Sequence, residues 1–277
     1  MTFGDKTITF DSPKIMGILN VTPDSFSDGG KFNQVDKALK QAEYMVDSGA
    51  TFIDIGGEST RPGAAKVSLE QELERVIPVV EKIAQNLDCV ISVDTSKAEV
   101  MLQAAKVGAR LINDVRALSE DGALSAASKL AHEYQIPCCI MHMQGTPQTM
   151  QNKPEYSSVL EEVVAFLKQR VEELMNAGFK REQIILDPGF GFGKNLDHNY
   201  TMLKKFSVFK QFDMPLLAGM SRKSMIGNLL NREVNQRIAG DIATHTIAAL
   251  YGANILRVHD VPEMKDAADI ISKLDSL

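Results

Sequence analysis

Short apolar runs alternate along the chain with longer stretches in which apolar residues recur at helical spacing. Several helical stretches end in glycine just before the next apolar run, where a left-handed helix cap is expected: Gly49, Gly108, Gly178 and Gly252. The pattern predicts strands at Lys14–Asn20, Thr51–Gly56, Val90–Asp94, Arg110–Asn113, Pro137–Met141, Gln183–Asp187, Pro215–Ala218 and Asn254–Val258. It predicts helices at Val35–Ser48, Leu69–Asn86, Ala98–Lys106, Gly122–Tyr134, Ser157–Asn176, Asp197–Lys204 and Ile238–Tyr251, and from Pro262 to about Leu274.

Strands that are separated by helices pair in parallel through right-handed crossovers. Eight such units in one chain predict an α/β fold, a (β/α)8 TIM barrel. A doubly wound sheet is the alternative, but its first strand should lead into a glycine-rich phosphate turn, and here Asn20 is followed by Val-Thr-Pro. We expect a single domain over residues 1–277, with a short strand within Lys6–Phe10 at the bottom of the barrel.

Composition narrows the function classes. The 277 residues include 30 Lys and Arg against 36 Asp and Glu, a net charge of −6, which argues against a nucleic-acid partner or an anionic membrane surface. The three cysteines, Cys89, Cys138 and Cys139, form neither a disulfide framework nor a zinc motif. With no signal peptide and no apolar run long enough to span a bilayer, we expect a soluble cytoplasmic protein.

Polar residues stand where almost every apolar run stops, and in a parallel barrel these stops meet at one mouth. Two bases, Arg257 and His259, alternate on the last strand and therefore face one side. Asp94 and Asp187 could instead be helix caps or turn residues. His142 lies between two methionines, which is more typical of a histidine packed in the core. The strand ends are Asn20, Asp54 with Glu58 beyond it, Asp94, Asn113, His142, Asp187, Lys223, Arg257 and His259.

Three loops complete the inventory of candidate sites. The loops after the first and second strands, residues 22–30 and 57–63, mix glycine with charged and aromatic residues, which is typical of lids. Asp28 in one and Arg61 in the other could pair across the mouth. A third segment, Gly189–Lys194, fails the phosphate-loop pattern because Pro188 and Asn195 stand at required positions.

Seven blocks resemble the dihydropteroate synthase family, in order and over essentially the whole chain: Met16–Gly30, Asp54–Gly63, Ser92–Ser96, Ile112–Val115, Asp187–Lys194, Gly219–Ser224 and Arg257–His259. The resemblance implies a pterin-binding TIM barrel that joins 6-hydroxymethyl-7,8-dihydropterin diphosphate to p-aminobenzoate, giving 7,8-dihydropteroate and diphosphate. It implies a dissociative reaction, in which diphosphate leaves first and the aryl amine attacks the resulting cation. It also implies that sulfonamides compete with the amine.

The resemblance further implies a role for each matching residue. The pterin ring edge is read by Asp187, Asp94 and Asn113, and Lys223 donates to the pterin carbonyl. The diphosphate is bound by Asn20, Arg257 and His259, with Mg²⁺ as the expected cofactor and Asn20 as its ligand. The loop residues Asp28 and Arg61 close over the site. The p-aminobenzoate slot is built from Phe26, Thr60, Pro62, Lys223 and Ser224, and further lining residues of the substrate site are Met141, Phe190 and Gly219.

Two alternative functions and the oligomeric state remain open at this point. Pterin-dependent corrinoid methyltransferases share the barrel but have no use for Arg61 or for a set of diphosphate cations, and a non-catalytic pterin-binding paralogue should lack those residues. A homodimer is expected through helices away from the mouth, including Ile238–Tyr251, where Ala243, Ile247 and Leu250 stand at helical spacing. This stripe could equally pack on its own barrel.

Overall fold

The computed structural model describes residues 1–22, 31–59, 66–145 and 154–277. Its strands are β1 (Thr2–Phe3), β2 (Lys6–Thr7), β3 (Lys14–Asn20), β4 (Ala50–Gly56), β5 (Val90–Asp94), β6 (Leu111–Asp114), β7 (Cys138–Met141), β8 (Ile184–Asp187), β9 (Leu217–Ala218) and β10 (Ile255–Val258). Its helices are α1 (Lys31–Asp47), α2 (Leu69–Asn86), α3 (Ala98–Lys106), α4 (Ala123–Tyr134), α5 (Val159–Asn176), α6 (Leu196–Lys204), α7 (Ser224–Leu230), α8 (Ile238–Leu250) and α9 (Val261–Asp275).

Eight parallel strands form the barrel, in the order β8-β7-β6-β5-β4-β3-β10-β9. A parallel bridge between Leu186 and Leu216 joins the two ends of this sheet, and the Leu186 N–H donates to Pro215 O at 2.9 Å. The TIM barrel predicted from the sequence is therefore confirmed.

The predicted glycine caps occur where the pattern places them. Gly49, Gly108, Gly178 and Gly252 all have positive φ angles, between 99° and 124°. At the start of α2, Ser68 and Gln71 form a reciprocal capping box. These local signals explain why most predicted boundaries lie within a few residues of the observed ones. The short helix α7 was not predicted, because seven residues are too few to show an amphipathic period.

The bottom of the barrel is closed by the N-terminal strand pair. β1 and β2 pair antiparallel, so the expected short strand is present but covers only Lys6–Thr7 and has a partner. The Phe3 ring packs edge-on against Phe52, with centroids 5.2 Å apart. Around it lie inward-facing residues of the barrel strands: Met16, Val90, Leu111, Cys139, Ile185, Leu217 and Ile255. This apolar plug leaves the opposite, carboxyl-terminal mouth for polar side chains.

A second apolar layer lies between the strands and the surrounding helices. All three cysteines are buried and free. Among the helices of the described residues, none is long and apolar enough to cross a membrane.

Candidate functional site

The polar strand ends meet because the parallel strands are in register. Asn20, Gly56, Asp94 and Asn113 are paired in turn across four neighbouring strands. A methyl group placed on Gly56 would lie 3.7 Å from Asn20 Oδ1 and 3.8 Å from Asp94 Oδ2. These are ordinary contact distances, so the Asn20 and Asp94 side chains lie directly beside Gly56 at the mouth.

Arg257 is the centre of a buried ion cluster at this mouth. Its Nε donates to Asp54 Oδ2 at 2.7 Å, and its Nη2 donates to Asp94 Oδ2 at 2.9 Å. Asn113 Nδ2 donates to the same Asp54 oxygen at 3.0 Å. Asp54 Oδ1 is buried with no hydrogen-bond partner among the described residues. A buried acceptor without a donor costs free energy, so the site is suited to a ligand that donates there.

The carboxylates of this cluster make the site strongly polar. Burial raises the pKa of Asp94 to about 7, the charge of Asp54 adds to the rise, and Arg257 opposes it. Burial disfavours the charged guanidinium, but Asp54 and Asp94 outweigh it and raise the pKa of Arg257. The cluster therefore holds a permanent cation between two carboxylates.

A second charged pair consists of Asp187, at the end of β8, and Lys223, in the turn after β9. Asp187 is buried, and its Oδ1 accepts a hydrogen bond from the Gly189 N–H at 2.7 Å. Burial raises the pKa of Asp187, and the neighbouring Lys223 opposes that rise. Burial also lowers the pKa of Lys223 to about 8, against the attraction of Asp187. The mouth thus places a buried acceptor beside an ammonium group that loses its proton more readily than an exposed lysine.

The glycine-rich loop after β8 holds Lys223 in place. Lys223 Nζ donates to Phe190 O at 2.6 Å and lies 4.6 Å from the centre of the Phe192 ring. Gly191 has φ +83°, and a methyl group there would approach Lys223 Cδ to 3.1 Å. The loop therefore positions the lysine through one carbonyl and one aromatic face.

Lys194 lies beneath this loop and holds it from inside. It is only 2% exposed, and its Nζ donates to Gly189 O at 2.7 Å and Phe192 O at 3.0 Å. The same Nζ also contacts His142 Nδ1, at 2.9 Å. Burial lowers the pKa of Lys194 to about 7 and that of His142 to about 3. The lysine of this motif thus binds backbone carbonyls rather than an anion, and His142 is a packed residue.

Phe192, and not the predicted Phe190, places its ring at the mouth of the barrel. The Phe190 ring, expected in the substrate slot, is fully buried and stacks on Phe206 at 6.1 Å, within the layer between barrel and helices. Only its carbonyl oxygen reaches the mouth. The Phe192 ring instead packs with Met141 and Val115 at the ends of two strands. The apolar wall beside Lys223 is therefore built by Phe192 and Met141.

The turn from Gly219 to Lys223 is held by α8. Asp241 accepts from the Arg222 N–H at 2.9 and 3.0 Å, which stabilises the positive φ of 59° at Arg222. It also accepts from Ser221 Oγ at 3.1 Å. Burial raises the pKa of Asp241, and these donors oppose the rise. Gly219 lies against Arg257, where a methyl group would be 3.6 Å from Arg257 Cβ.

His259 extends from the end of β10 onto the same turn. Its backbone N–H donates to Ser221 Oγ at 3.2 Å, and its Nδ1 lies 3.0 Å from that oxygen. Ser224 is exposed as the first residue of α7. Five predicted site residues lie outside the described residues: Phe26, Asp28, Thr60, Arg61 and Pro62.

A separate ion network lies where β4 leads out of the barrel. Lys97 Nζ donates to Glu58 at 2.6 Å and also to the buried Glu72. Arg75 donates to Gly57 O at 2.9 Å. These contacts fix the first residues after β4.

Sequence reasoning passed over several residues that organise the site. Asp54 could have been found from the sequence, because it is an acidic residue inside the apolar run of β4, but the resemblance assigned it no role. Asp241 and Ser221 could not, because an acidic residue near a helix start and a serine in a turn are ordinary. Phe192 could not be told from Phe190 without the loop's backbone conformation.

The geometry suits a ligand that combines a flat donor-rich ring with an anionic group. Carboxylate and amide oxygens face one part of the mouth, where charge-assisted hydrogen bonds contribute about 1.5–3 kcal/mol each. Arg257, Lys223 and His259 supply cationic or donor groups beside them.

Comparisons with known proteins agree with this chemistry. Residues 16–259 match the sequence family described as pterin binding enzyme. The dihydropteroate synthase of Escherichia coli K12 is 55% identical over 265 residues, which cover 96% of this chain and 93% of that protein. The dihydropteroate synthase of Haemophilus influenzae is 56% identical over 262 residues, covering 95% and 94%.

A solved structure also matches throughout. The Yersinia pestis dihydropteroate synthase in complex with a sulfonamide drug superposes with a TM-score of 0.94 at 52% identity, covering 100% of this chain and 99% of that one. The family match, the full-length relatives and the shared fold lead to one conclusion: the chain belongs to the pterin-binding enzyme family, together with these dihydropteroate synthases.

Proposed function

We propose that the protein is a dihydropteroate synthase, which condenses 6-hydroxymethyl-7,8-dihydropterin diphosphate with p-aminobenzoate and releases diphosphate. The observation that carries the proposal is the buried acceptor set around Arg257, where Asp54 Oδ1 lacks a partner among the described residues. A flat heterocycle with amino and ring N–H donors satisfies such acceptors. The family match and the full-length relatives support the same activity.

Different residues at the mouth bind the pterin ring and the departing diphosphate. Asp187, Asp94 and Asn113 accept from the pterin edge, and Lys223 donates to its carbonyl. Arg257 and His259 stabilise the negative charge that develops on the departing diphosphate, which is the main demand of a dissociative transfer. The neutral arylamine is already a nucleophile, so the protein has to exclude water rather than deprotonate it.

The described residues fit a magnesium ion that is held mainly by its substrate. Asn20 offers one amide oxygen beside Gly56, and among the described residues no group of three acidic, cysteine or histidine side chains is arranged to hold a metal ion. Mg²⁺ often keeps several waters and binds through few protein ligands plus phosphate oxygens. We propose Asn20 as its protein ligand. When bound, the ion neutralises diphosphate charge.

Diphosphate release that depends on p-aminobenzoate tests the activity. We expect release only when both substrates are present, and competition by a sulfonamide. Release without the amine would indicate a hydrolase and contradict the proposal. Removing Mg²⁺ with a chelator should weaken pterin diphosphate binding, and Asn20→Ala should reduce the effect of adding the ion back.

Asp187→Asn tests the pterin site. The amide turns one acceptor into a donor that opposes the pterin edge, so we expect calorimetric pterin affinity to fall at least 100-fold, about 2.7 kcal/mol. Asp121→Asn, at an exposed position, is the matched control and should bind normally. Unchanged affinity in Asp187→Asn would remove Asp187 from the site.

We also propose a homodimer through α8. Its Ala243, Ile247 and Leu250 stripe does not pack on its own barrel: Ala243 is exposed, and Ile247 and Leu250 are 39% and 56% exposed. Exposed apolar residues of α9, Ile270 and Leu274, add to the apolar surface of the helical face. Leu250→Glu should convert a dimer to a monomer in sedimentation, and a monomeric wild type would refute the interface.

We propose a cytoplasmic location because the cysteines are buried and form no disulfide. Cys138 and Cys139 are adjacent and fully buried, and burial raises the pKa of both. Inert buried thiols suit a reducing compartment. Fractionation of the native cells, with a cytoplasmic marker enzyme as reference, tests this.

A further inference from the structure

A serine hydroxyl links a carboxylate on α8 to the imidazole at the end of β10. Ser221 Oγ is buried and has three polar neighbours: Asp241 Oδ2 at 3.1 Å, His259 Nδ1 at 3.0 Å and the His259 backbone N–H at 3.2 Å. A hydroxyl has one hydrogen to donate and two lone pairs to accept with. Three neighbours therefore use its full capacity.

Counting donors assigns each of these bonds. The carboxylate of Asp241 can only accept, so the single Ser221 hydrogen goes to Asp241. The backbone N–H of His259 can only donate, so it takes one lone pair of Ser221. The remaining Ser221 lone pair faces His259 Nδ1, and that bond exists only if Nδ1 carries a hydrogen.

We infer that Asp241 and Ser221 are positioning residues that hold His259 in the Nδ1-protonated tautomer. In this tautomer the remaining ring nitrogen, Nε2, is an acceptor in the neutral ring. His259 therefore donates from Nε2 to an anionic oxygen only as the imidazolium. The inference rests on the proposed function only for its consequence, that diphosphate is met by a cationic ring.

The scaffold behind this arrangement is rigid. His245, also on α8, accepts the Met220 N–H at Nε2 (3.2 Å), and its Nδ1 donates to the backbone oxygen of Asp241 at 2.8 Å. Asp241 itself is fixed by both Arg222 N–H contacts. Turning the Ser221 hydrogen toward His259 would therefore leave the Ser221 oxygen facing the fixed Asp241 carboxylate with no hydrogen between the two acceptors.

Other charged groups near His259 act on it differently. Arg222 pairs with Asp260 at 2.7 Å, and Arg257 pairs with carboxylates inside the barrel. Asp260 is the nearest carboxylate in sequence, but its hydrogen bonds go to Arg222 rather than to Ser221. It therefore supplies charge near the ring without setting the hydrogen-bond direction, which makes Asp260 the natural control for Asp241.

Nitrogen NMR of the full-length protein with ¹⁵N-labelled histidine tests the inference. The chain has five histidines, so His259→Gln identifies the signals of His259. In the neutral ring we expect a protonated, pyrrole-type Nδ1 and an unprotonated, pyridine-type Nε2. A wild-type His259 that is protonated at Nε2 would overturn the inference.

Asp241→Asn and Asp260→Asn form the matched pair. In Asp241→Asn the new side-chain amide can donate to Ser221, which frees the Ser221 hydrogen for Nδ1 and shifts the proton to Nε2, while Asp260→Asn should keep the wild-type tautomer. An unchanged tautomer in Asp241→Asn, or the same shift in both variants, would refute the role of Asp241. If Asp241→Asn does not fold, Ser221→Ala should lose the Nδ1 preference, and retention of it would refute the role of Ser221.

Enzyme kinetics separate this inference from the proposed function. Removing a partner that orients a metal-ligating histidine typically costs roughly 10- to 100-fold in affinity or activity, and we take the same range for the analogous contact of His259. We expect Ser221→Ala to lower kcat/KM for pterin diphosphate by that factor, with the KM for p-aminobenzoate unchanged. An unchanged kcat/KM for pterin diphosphate, or a KM for p-aminobenzoate that rises by the same factor, would contradict a positioning role for Ser221. The wild-type tautomer can be read even if the protein proved to lack synthase activity.

Discussion

Removing Arg257 should destabilise the protein in a pH-dependent way. Arg257→Met leaves Asp54 and Asp94 buried without their counter-ion, and breaking a buried pair in this manner costs about 3–5 kcal/mol. We expect that loss at pH 8.5. At pH 5.5 we expect a smaller loss, because a protonated Asp94 no longer needs a counter-ion, whereas Asp54 loses its partner at either pH.

The direction of this pH dependence follows from the protonation of Asp94. Its folded pKa is raised to about 7, so in the folded protein its carboxyl is mostly protonated at pH 5.5 and ionised at pH 8.5, whereas in the unfolded chain it is ionised at both. Losing Arg257 raises the folded pKa further, because Arg257 opposes the rise. The cost of ionising Asp94 is therefore complete above that pKa and fades as the pH falls through it.

Urea unfolding followed by circular dichroism measures both losses, since the chain has no tryptophan for fluorescence. Lys265→Met, which breaks a surface pair with Asp269, is the control and should cost about 1 kcal/mol or less at either pH. Adding Asp54→Asn to Arg257→Met should recover stability at pH 8.5 without restoring activity. Equal losses at the two pH values would refute the reasoning.

Three further results are expected. Phe192→Ala should weaken pterin binding and cost less stability than Phe190→Ala, which should lower stability by about 3–5 kcal/mol without a direct contact to the ligand; the reverse in calorimetry and urea unfolding would restore Phe190 to the slot. Because the folded pKa of Lys194 is lowered from 10.5 to about 7, the folded protein binds fewer protons than the unfolded chain between these two values, and the Lys194 contribution makes stability rise with pH over that window. Lys194→Met should flatten the rise, and an unchanged slope in pH-dependent unfolding would contradict the assignment. Leu250→Glu should give monomers with unchanged pterin affinity, as measured by calorimetry, because Leu250 faces away from the barrel.

The positions of the polar strand ends were predictable because they depend on local pattern and one rule. Each apolar run marks a strand, and parallel register brings their ends together, which places Asn20, Asp94, Asn113 and Asp187 at one mouth. Arg257 was predictable as a charge on a strand that cannot face the outer apolar layer. None of these inferences needs the conformation of a loop.

The orientation of the loop after β8 was not predictable. Phe190 and Phe192 lie in one alternating run, and which ring faces the mouth depends on the positive φ angles at Gly189 and Gly191. The loop is held in this conformation by contacts from outside it: Lys194 donates to its carbonyls, and Asp187 and Asn199 accept from the N–H groups of the two glycines. The motif names the residues, but the tertiary contact decides which of them face a ligand.

Helix α8 shows why the same limit applies to the residues behind the site. Its inner face carries Asp241 and His245, which hold the turn that bears Lys223 and contacts His259, and its outer face carries the exposed Ile247 and Leu250. From the sequence both faces read as one amphipathic period, with Asp241 as an ordinary charge near a helix start. Its role depends on Ser221 being 20 residues earlier in the chain but 3.1 Å away, a proximity that only closure of the barrel produces. The groups proposed to bind substrate thus lie at strand ends, whereas the groups inferred to set their hydrogen-bond direction lie on the helices that close around them.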